Sequence, residues 1–275
     1  MKINPIDLEV FKNRFSSICE EMGVTLCRSS FSPNIKERKD FSCAIFDEKC
    51  NLVAQAAHIP VHLGSMPLSV QAATQAFKLR KGDAVILNDP YYGGTHLPDI
   101  TLVSPVFLGK GRQPTFYVAN RAHHSDVGGQ SPGSMPVADH LEKEGVVIPP
   151  TLFQKRGRLN QAWIKNFLKQ VRSPKKREAD LLAQQSANRI GAARLQEIVE
   201  RVGRPHTLAA MHAYQRYEEK ITLQALGKIK SGHYAFTDYL DDDGIHETSI
   251  KISVRVTVSP KQFKVDFTES VIASL

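Results

Sequence analysis

Two short stretches of this chain concentrate the residue types that hold metals and move protons. The first reads N-D-P-Y-Y-G-G-T-H-L-P-D-I from Asn88 to Ile100, and the second A-N-R-A-H-H-S-D-V-G-G from Ala119 to Gly129. Imidazole nitrogens and carboxylate oxygens together suit a divalent ion. The glycine pairs let backbone turn sharply and approach a ligand closely. Between His96 and Asp99 stands Pro98, which fixes its own torsion and biases Leu97 to an extended form. The pair therefore reads as a stiff loop that loses little freedom when two ligands close on an ion. The alternative is structural, with His96 capping a turn and Asp99 pairing with an arginine.

His123 and His124 are adjacent. If a strand runs through them, their rings point to opposite faces. Only one then shares a site with His96 and Asp99; the other bonds a substrate or an outer-sphere group. Asp126 is expected to orient an imidazole or to act as a general base. His58 and His62 bracket Pro60 without an H-E-x-x-H pattern, so they are expected to line the site as substrate-binding donors. Arg38 and Asp40 either orient a substrate carboxylate or amide or form a surface ion pair. Glu144, before Gly145 and an apolar run, is expected to face the site.

These residues need elements to position them. Asn4-Pro5 has the form of a helix N-cap, and Leu8, Phe11, Phe15, Ile18 and Met22 recur at helical spacing. Residues 41–46 and 51–55 read as a hairpin. Residues 57–66 read as a loop, because Pro60 and Gly64 interrupt any periodicity, and residues 67–79 as a helix. Residues 84–87, 101–107 and 115–120 are expected strands. Helical stripes follow at Trp163–Val171 and Leu181–Val202, and a third helix over 207–229. Beyond His233 the period changes to two, and Phe263, Val265 and Phe267 begin a last strand with no evident partner. The expected fold is a mixed α/β (α+β) chain. Residues 1–150 form an N-terminal sheet-and-helix catalytic region, 151–232 a helical middle, and 233–275 the start of a C-terminal antiparallel β region. The unfinished last strand leads to the expectation of a C-terminal truncation.

Composition narrows the function. With 41% hydrophobic and 23% charged residues the chain resembles an ordinary globular protein. Its apolar runs are too short for a membrane span, and the N-terminus reads as no export signal, so a cytoplasmic location is expected. The four cysteines form no C-x-x-C pair and are expected to be reduced thiols. The net charge of +8 is concentrated in Lys155–Arg158 and Arg172–Arg177. No aromatics interleave these runs, so they read as solvated connectors, with no nucleic-acid partner. Neither a G-x-x-x-x-G-K-[ST] loop nor a G-x-S-x-G elbow is present. Nucleotide chemistry would need another chain.

Five ordered motifs carry a resemblance: S-P-N-I-K-E-R-K-D-F-S-C-A (Ser32–Ala44), H-I-P-V-H-L-G-S-M (His58–Met66), N-D-P-Y-Y-G-G-T-H-L-P-D (Asn88–Asp99), A-H-H-S-D-V-G-G (Ala122–Gly129) and E-G-V-V-I-P-P (Glu144–Pro150). Together they resemble the hydantoinase B/oxoprolinase family, which includes the B-type component of N-methylhydantoinase, the matching half of 5-oxoprolinase and a component of acetone carboxylase. The resemblance implies a divalent metal (Mn, Zn or Mg) held by His96, Asp99 and His123. It also implies a hydantoinase A-type partner that binds ATP and phosphorylates a small cyclic amide or ketone substrate. This chain would complete hydrolysis with Asp126 or His124 moving a proton. A component of a ketone carboxylase, or a non-catalytic fragment that binds an A-type partner, is the alternative.

Overall fold

The computed structural model describes residues 3–57, 59–109, 111–246 and 248–270. They fall into two compact units, Met1–Pro136 with Leu141–Met211, and Val137–His140 with His212–Leu275. In the first unit a long helix α1 (Pro5–Ser29) opens on the expected cap, where the Asn4 side chain accepts from the Asp7 amide at 2.8 Å. Its apolar stripe is buried at Phe11, Phe15, Ile18 and Met22. A short turn of helix, α2 (Pro33–Lys36), leads into the hairpin β1 (Phe41–Asp47) and β2 (Leu52–Ala57). The Asp47 carboxylate accepts from the amides of Lys49 and Asn51 and so shapes the hairpin turn.

Helix α3 (His62–Ala76) follows, then β3 (Ala84–Leu87), a 3-10 turn at Pro90–Tyr92, β4 (Asp99–Val106) and β5 (Phe116–His123). Next come a one-turn helix α4 (Leu141–Glu144), β6 (Thr151–Lys155), β7 (Arg158–Leu159), α5 (Gln161–Leu168), α6 (Pro174–Val202) and α7 (Arg204–Leu226). The strands form one seven-stranded sheet in the order β2-β1-β5-β4-β3-β6-β7, every pair antiparallel. Helix α3 covers one face, where Met66, Val70 and Ala73 bury against Ala44, Phe46, Val103 and Ala119. Helices α1 and α6 cover the other; a side-chain carbon on Gly191 of α6 would lie 2.4 Å from Met22 and 3.2 Å from Val118.

Two expectations are corrected. Residues 57–66 are not all loop, because α3 begins at His62 and carries Pro67 inside it. Proline there forfeits one backbone hydrogen bond, but burial of Met66, Val70 and Ala73 outweighs the local signal. The second basic run is no solvated connector either. Arg177 is buried and bonds Asp180 at 2.9 Å, while Arg172 clasps Asp126 at 2.9 Å. The first run, Lys155–Arg158, is the turn between β6 and β7, with Arg156 and Gly157 both at positive φ. Strand β6, whose last residue Lys155 opens that run, was not read from the sequence.

The second unit contains a three-stranded antiparallel sheet in the order β10-β9-β8, from β8 (Gly232–Leu240), β9 (Ile250–Ser259) and β10 (Gln262–Asp266). The period-two pattern read from the sequence thus forms strands. Phe236, Phe263 and Val265 on them are exposed. All four cysteines are free, and among the described residues no helix is long and apolar enough to cross a membrane.

Candidate metal centre

The site is two rows of side chains laid across three neighbouring strands. Antiparallel pairing places Asp99 of β4 directly opposite His123 of β5, and Thr101 opposite Arg121. On the other side of β5, Ser42 of β1 pairs with Arg121, and the His123 amide donates to the Asp40 carbonyl at 3.0 Å. Side chains two apart on a strand share a face. The outer row is therefore Asp40, His123 and Asp99; the inner row is Ser42, Arg121 and Thr101. Helix α3 lies over this face and brings His62. The loop after β3 brings His96.

Asp99 is the hub. It is 1% exposed, and its Oδ2 lies 3.3 Å from His62 Nε2 and 3.2 Å from His96 Nδ1. Its Oδ1 lies 3.6 Å from His123 Nδ1. The Thr95 hydroxyl donates to Oδ2 at 2.6 Å. On the far side, His123 Nδ1 is 3.5 Å from Asp40 Oδ2 and 3.1 Å from His96 Nε2. The Ser42 hydroxyl meets His62 Nδ1 at 3.0 Å, which turns His62 Nε2 toward Asp99. Yet the buried atoms His62 Nε2 and Asp99 Oδ1 make no aligned hydrogen bond. Close approach without alignment is what donors aimed at a common point would show, and buried polar atoms are seldom left so.

The electrostatics agree. Burial would raise the Asp99 pKa, but the imidazoles of His62 and His96 outweigh it and hold the carboxyl well below the usual range. The bond to Asp99 raises the pKa of His96 against the opposing effect of burial, and the charges of Asp40 and Glu144 add to the rise. Burial lowers that of His123. Two overlapping donor sets result, His96 with Asp99 and His123, and Asp40 with His62 and Asp99; within each, the ligand atoms lie within 4.8 Å of one another. Both sets have the chemistry of a divalent metal site.

The remaining sequence candidates separate. Asp99 opens a strand instead of ending a stiff loop, and β5 does run on through His123, so the two adjacent rings face opposite ways. His124 points toward α6, fully buried, with Nε2 2.9 Å from Gln184 Oε1. Asp126 accepts from the Gly128 and Arg172 amides at 3.0 and 2.9 Å as well as from the Arg172 guanidinium, which outweighs burial and lowers its pKa. The structure brings neither into the donor cluster. Arg38 is exposed after α2, Glu144 reaches the cluster through its field on His96, and His58 lies outside the described residues.

Several residues that hold the site carried no role in the sequence reading. Asn88, fully buried, donates to the Leu97 and Val146 carbonyls at 2.8 and 2.9 Å and accepts from the Ile148 amide at 2.6 Å. It ties both ends of the His96 loop to the segment after α4. On the opposite face, Gln184 of α6 donates to the Ile100 carbonyl and Asn120, while Asn188 donates to the Leu102 carbonyl. Asp180 accepts from the Phe31 and Ser32 amides at 2.7 and 3.0 Å. A buried amide looks in sequence like any surface amide; the two motif stretches contain Asn88 and Asn120 without marking either.

His124 gives a pH prediction. Burial lowers its pKa from 6.5 to about 4, against the raising effects of Asp180 and Gln184. Between those values the unfolded chain binds a proton that the folded chain refuses. Stability from this group is thus complete above pH 6.5 and falls as pH drops toward 4, by on the order of 3 kcal/mol. The His124→Gln variant is expected to show a shallower fall in Tm across that window than the wild type. Equal slopes in the two proteins would refute the assignment.

The architecture and site together define a mixed α/β protein with a His/Asp donor cluster on an antiparallel sheet. The sequence profile of the hydantoinase B/oxoprolinase family matches residues 4–273, and the chain belongs to that family. It is 38% identical to the 5-oxoprolinase of Saccharomyces cerevisiae over 95% of this chain and 21% of the yeast protein. It is 33% identical to the B-type component of a D-/L-hydantoinase from a Pseudomonas species, over 97% of this chain and 47% of that one. Among solved structures, the ATP-dependent caprolactamase of Pseudomonas jessenii matches with a TM-score of 0.88 and 28% identity, over 96% of this chain and 46% of the other. A nucleotide-free acetone carboxylase structure shares the fold at a TM-score of 0.83 and 18% identity, over 97% of this chain and 37% of the other. The chain thus spans less than half the length of these relatives.

Proposed function

We propose that this chain is a B-type component of an ATP-dependent cyclic amide hydrolase, acting with a hydantoinase A-type partner. The observation that carries the reading is the convergence of His62, His96 and His123 on the buried carboxylate of Asp99, with Asp40 beside His123. Family membership and the 28% identity to the caprolactamase support it. The ketone carboxylase alternative rests on shared fold alone.

In this reading His96, Asp99 and His123 hold a divalent ion, with Asp40 and His62 as the adjoining donors. Such an ion, when bound, supplies a Lewis acid and an acidified water. The chain's own residues do the rest. Ser42 orients the His62 ring through Nδ1, and Thr95 occupies one lone pair of Asp99 Oδ2. Asp40, with its side chain 26% exposed, is the carboxylate at the mouth of the cluster, and its Oδ2 is placed to take a proton from an attacking water. The ring carbonyl would reach this site already activated by phosphorylation on the partner, since this chain has no Gly-rich phosphate loop.

The test is metal content. Wild-type protein purified without chelator is expected to carry about one divalent ion per chain, and the His96→Ala variant to lose affinity by about 100-fold. Elemental analysis of both, with titration of the stripped proteins, decides it. Equal and near-zero metal in the two sinks the proposal. Reconstitution with an A-type partner should then yield ATP-dependent opening of a lactam or hydantoin ring by the wild type and none by the variant.

A further inference from the structure

Arg121 is the largest fully buried side chain of the described residues, at 0% exposure. A guanidinium stays charged in a protein interior, so burying one is costly unless every N–H is used. Four of its five N–H groups donate, all to neutral oxygens, and the charge of Asp99 acts on it from nearby. Nε donates to Thr101 Oγ1 at 2.8 Å, Nη1 to Ser65 Oγ, and Nη2 to Ser69 Oγ at 2.8 Å and to the Gly93 carbonyl at 2.7 Å. A side chain that merely filled this space would be apolar, because buried ionic groups are often replaced by hydrophobic ones without loss of stability.

Each of those contacts lies on an element that carries a donor of the metal cluster. Thr101 sits two residues from Asp99 on the same face of β4. Ser65 and Ser69 lie one turn apart on α3, which begins at His62. Gly93 precedes His96 in the loop, and Arg121 itself precedes His123 on β5. The Ser69 hydroxyl also donates to the Gly93 carbonyl at 2.7 Å, closing the loop onto the helix. That approach needs glycine: Gly93 has a φ of 81°, and a Cβ there would lie 2.5 Å from the Ser69 amide nitrogen and 2.6 Å from Leu68.

We propose that Arg121 is the positioning residue of the donor cluster: its planar fork sets the spacing of β4, α3 and the His96 loop, and thereby the spacing of Asp99, His62 and His96. The proposal rests on the metal-centre reading given above. Lysine cannot replace the fork, because its three donors radiate from one nitrogen on a flexible stem and cannot span four acceptors met by three separate nitrogens of a plane.

The probe is Co(II) added to the metal-free full-length chain, read by calorimetry and by the visible absorption of the bound ion. Arg121→Lys and the double variant Ser65→Ala/Ser69→Ala are each expected to bind Co(II) about 10- to 100-fold more weakly, with a shifted visible band. Val103→Ala, in the core beside the site on β4, is the comparison: it should lower Tm while keeping wild-type affinity and band. Wild-type affinity and band in Arg121→Lys would overturn the proposal. So would an equal loss of affinity in Val103→Ala at matched Tm, which would reduce Arg121 to a structural residue. Should Arg121→Lys not fold, the double serine variant, which keeps the arginine, decides by the same two criteria. A wild-type chain that binds no Co(II) removes the metal-centre reading itself. A wild-type chain that binds while the variants match it removes only the role of Arg121.

Discussion

The Asp99→Asn variant is expected to lose divalent-metal affinity by at least 100-fold, roughly the size of loss known even for outer-sphere groups, while remaining folded. Asp99 is the only residue common to both donor sets, so the change strikes each of them. Asparagine has nearly the same shape and keeps one oxygen to accept from Thr95, so no cavity is created and that bond survives. What is lost is the negative charge, and with it the attraction for a cation and for the imidazoles of His62 and His96. In the metal-free protein Tm is expected to fall by several degrees at pH 7, because the attraction of the imidazoles for the carboxylate is stability that the variant gives up, while the fold persists. The measurement is a competitive chelator titration with Zn(II) or Mn(II), paired with circular dichroism of the stripped proteins. Binding within tenfold of wild type would show that Asp99 is not the hub of a metal site.

The part of the site legible in sequence was the part encoded locally. His96 and Asp99 declare themselves by three-residue spacing around Pro98, and the H-H dipeptide at 123–124 shows that only one ring can join them once the segment is a strand. The inner row, Ser42, Thr101 and Arg121, carries no role in the sequence, and Asp40 reads there as a substrate-orienting or ion-pair residue and not as a neighbour of the donors. All four matter because β5 lies between β1 and β4, and no local pattern reports which strands are neighbours. His62 was assigned to a loop because Pro60, Gly64 and Pro67 are strong local breakers. The helix forms there because the face that carries His62 also buries Met66 and Val70, a tertiary gain that propensity does not contain. The C-terminal strands illustrate the opposite case. Their period-two pattern belongs to antiparallel neighbours in chain order, so the strands were legible in sequence, but the last strand, expected to lack a partner, pairs with β9 from Gln262↔Ser259 to Asp266↔Arg255.

Asn88→Asp is expected to be the most damaging conservative change in the first unit. The two residues are isosteric, so neither packing volume nor backbone preference accounts for any effect. The side-chain nitrogen of Asn88 donates to two carbonyls, that of buried Leu97 and that of half-buried Val146. A carboxylate there has no hydrogen to offer and sets a negative charge against both oxygens. Only the Ile148 amide would still find an acceptor. The segment has little room to adjust, because the Asn88 and Asp89 amides already share the Ile148 carbonyl at 3.0 and 3.3 Å. Moreover, a Cβ on Gly94 would lie 2.1 Å from the Asn88 carbonyl, so the loop packs directly on its own start. A buried carbonyl left without its donor costs about 1–3 kcal/mol, the half-buried one less, and the buried charge adds to that. A total near 4 kcal/mol corresponds to a fall in Tm of about 8–16 °C. Lower pH should restore part of it, because a protonated carboxyl regains one donor. Metal affinity should fall as well, since Leu97 lies between His96 and Asp99 and loses its anchor. Thermal unfolding of wild type and variant at pH 7 and pH 5, with Co(II) titration at pH 7, measures all three effects. A Tm within 2 °C of wild type at pH 7 would mean that the His96 loop is held by other contacts and that Asn88 is dispensable to the site.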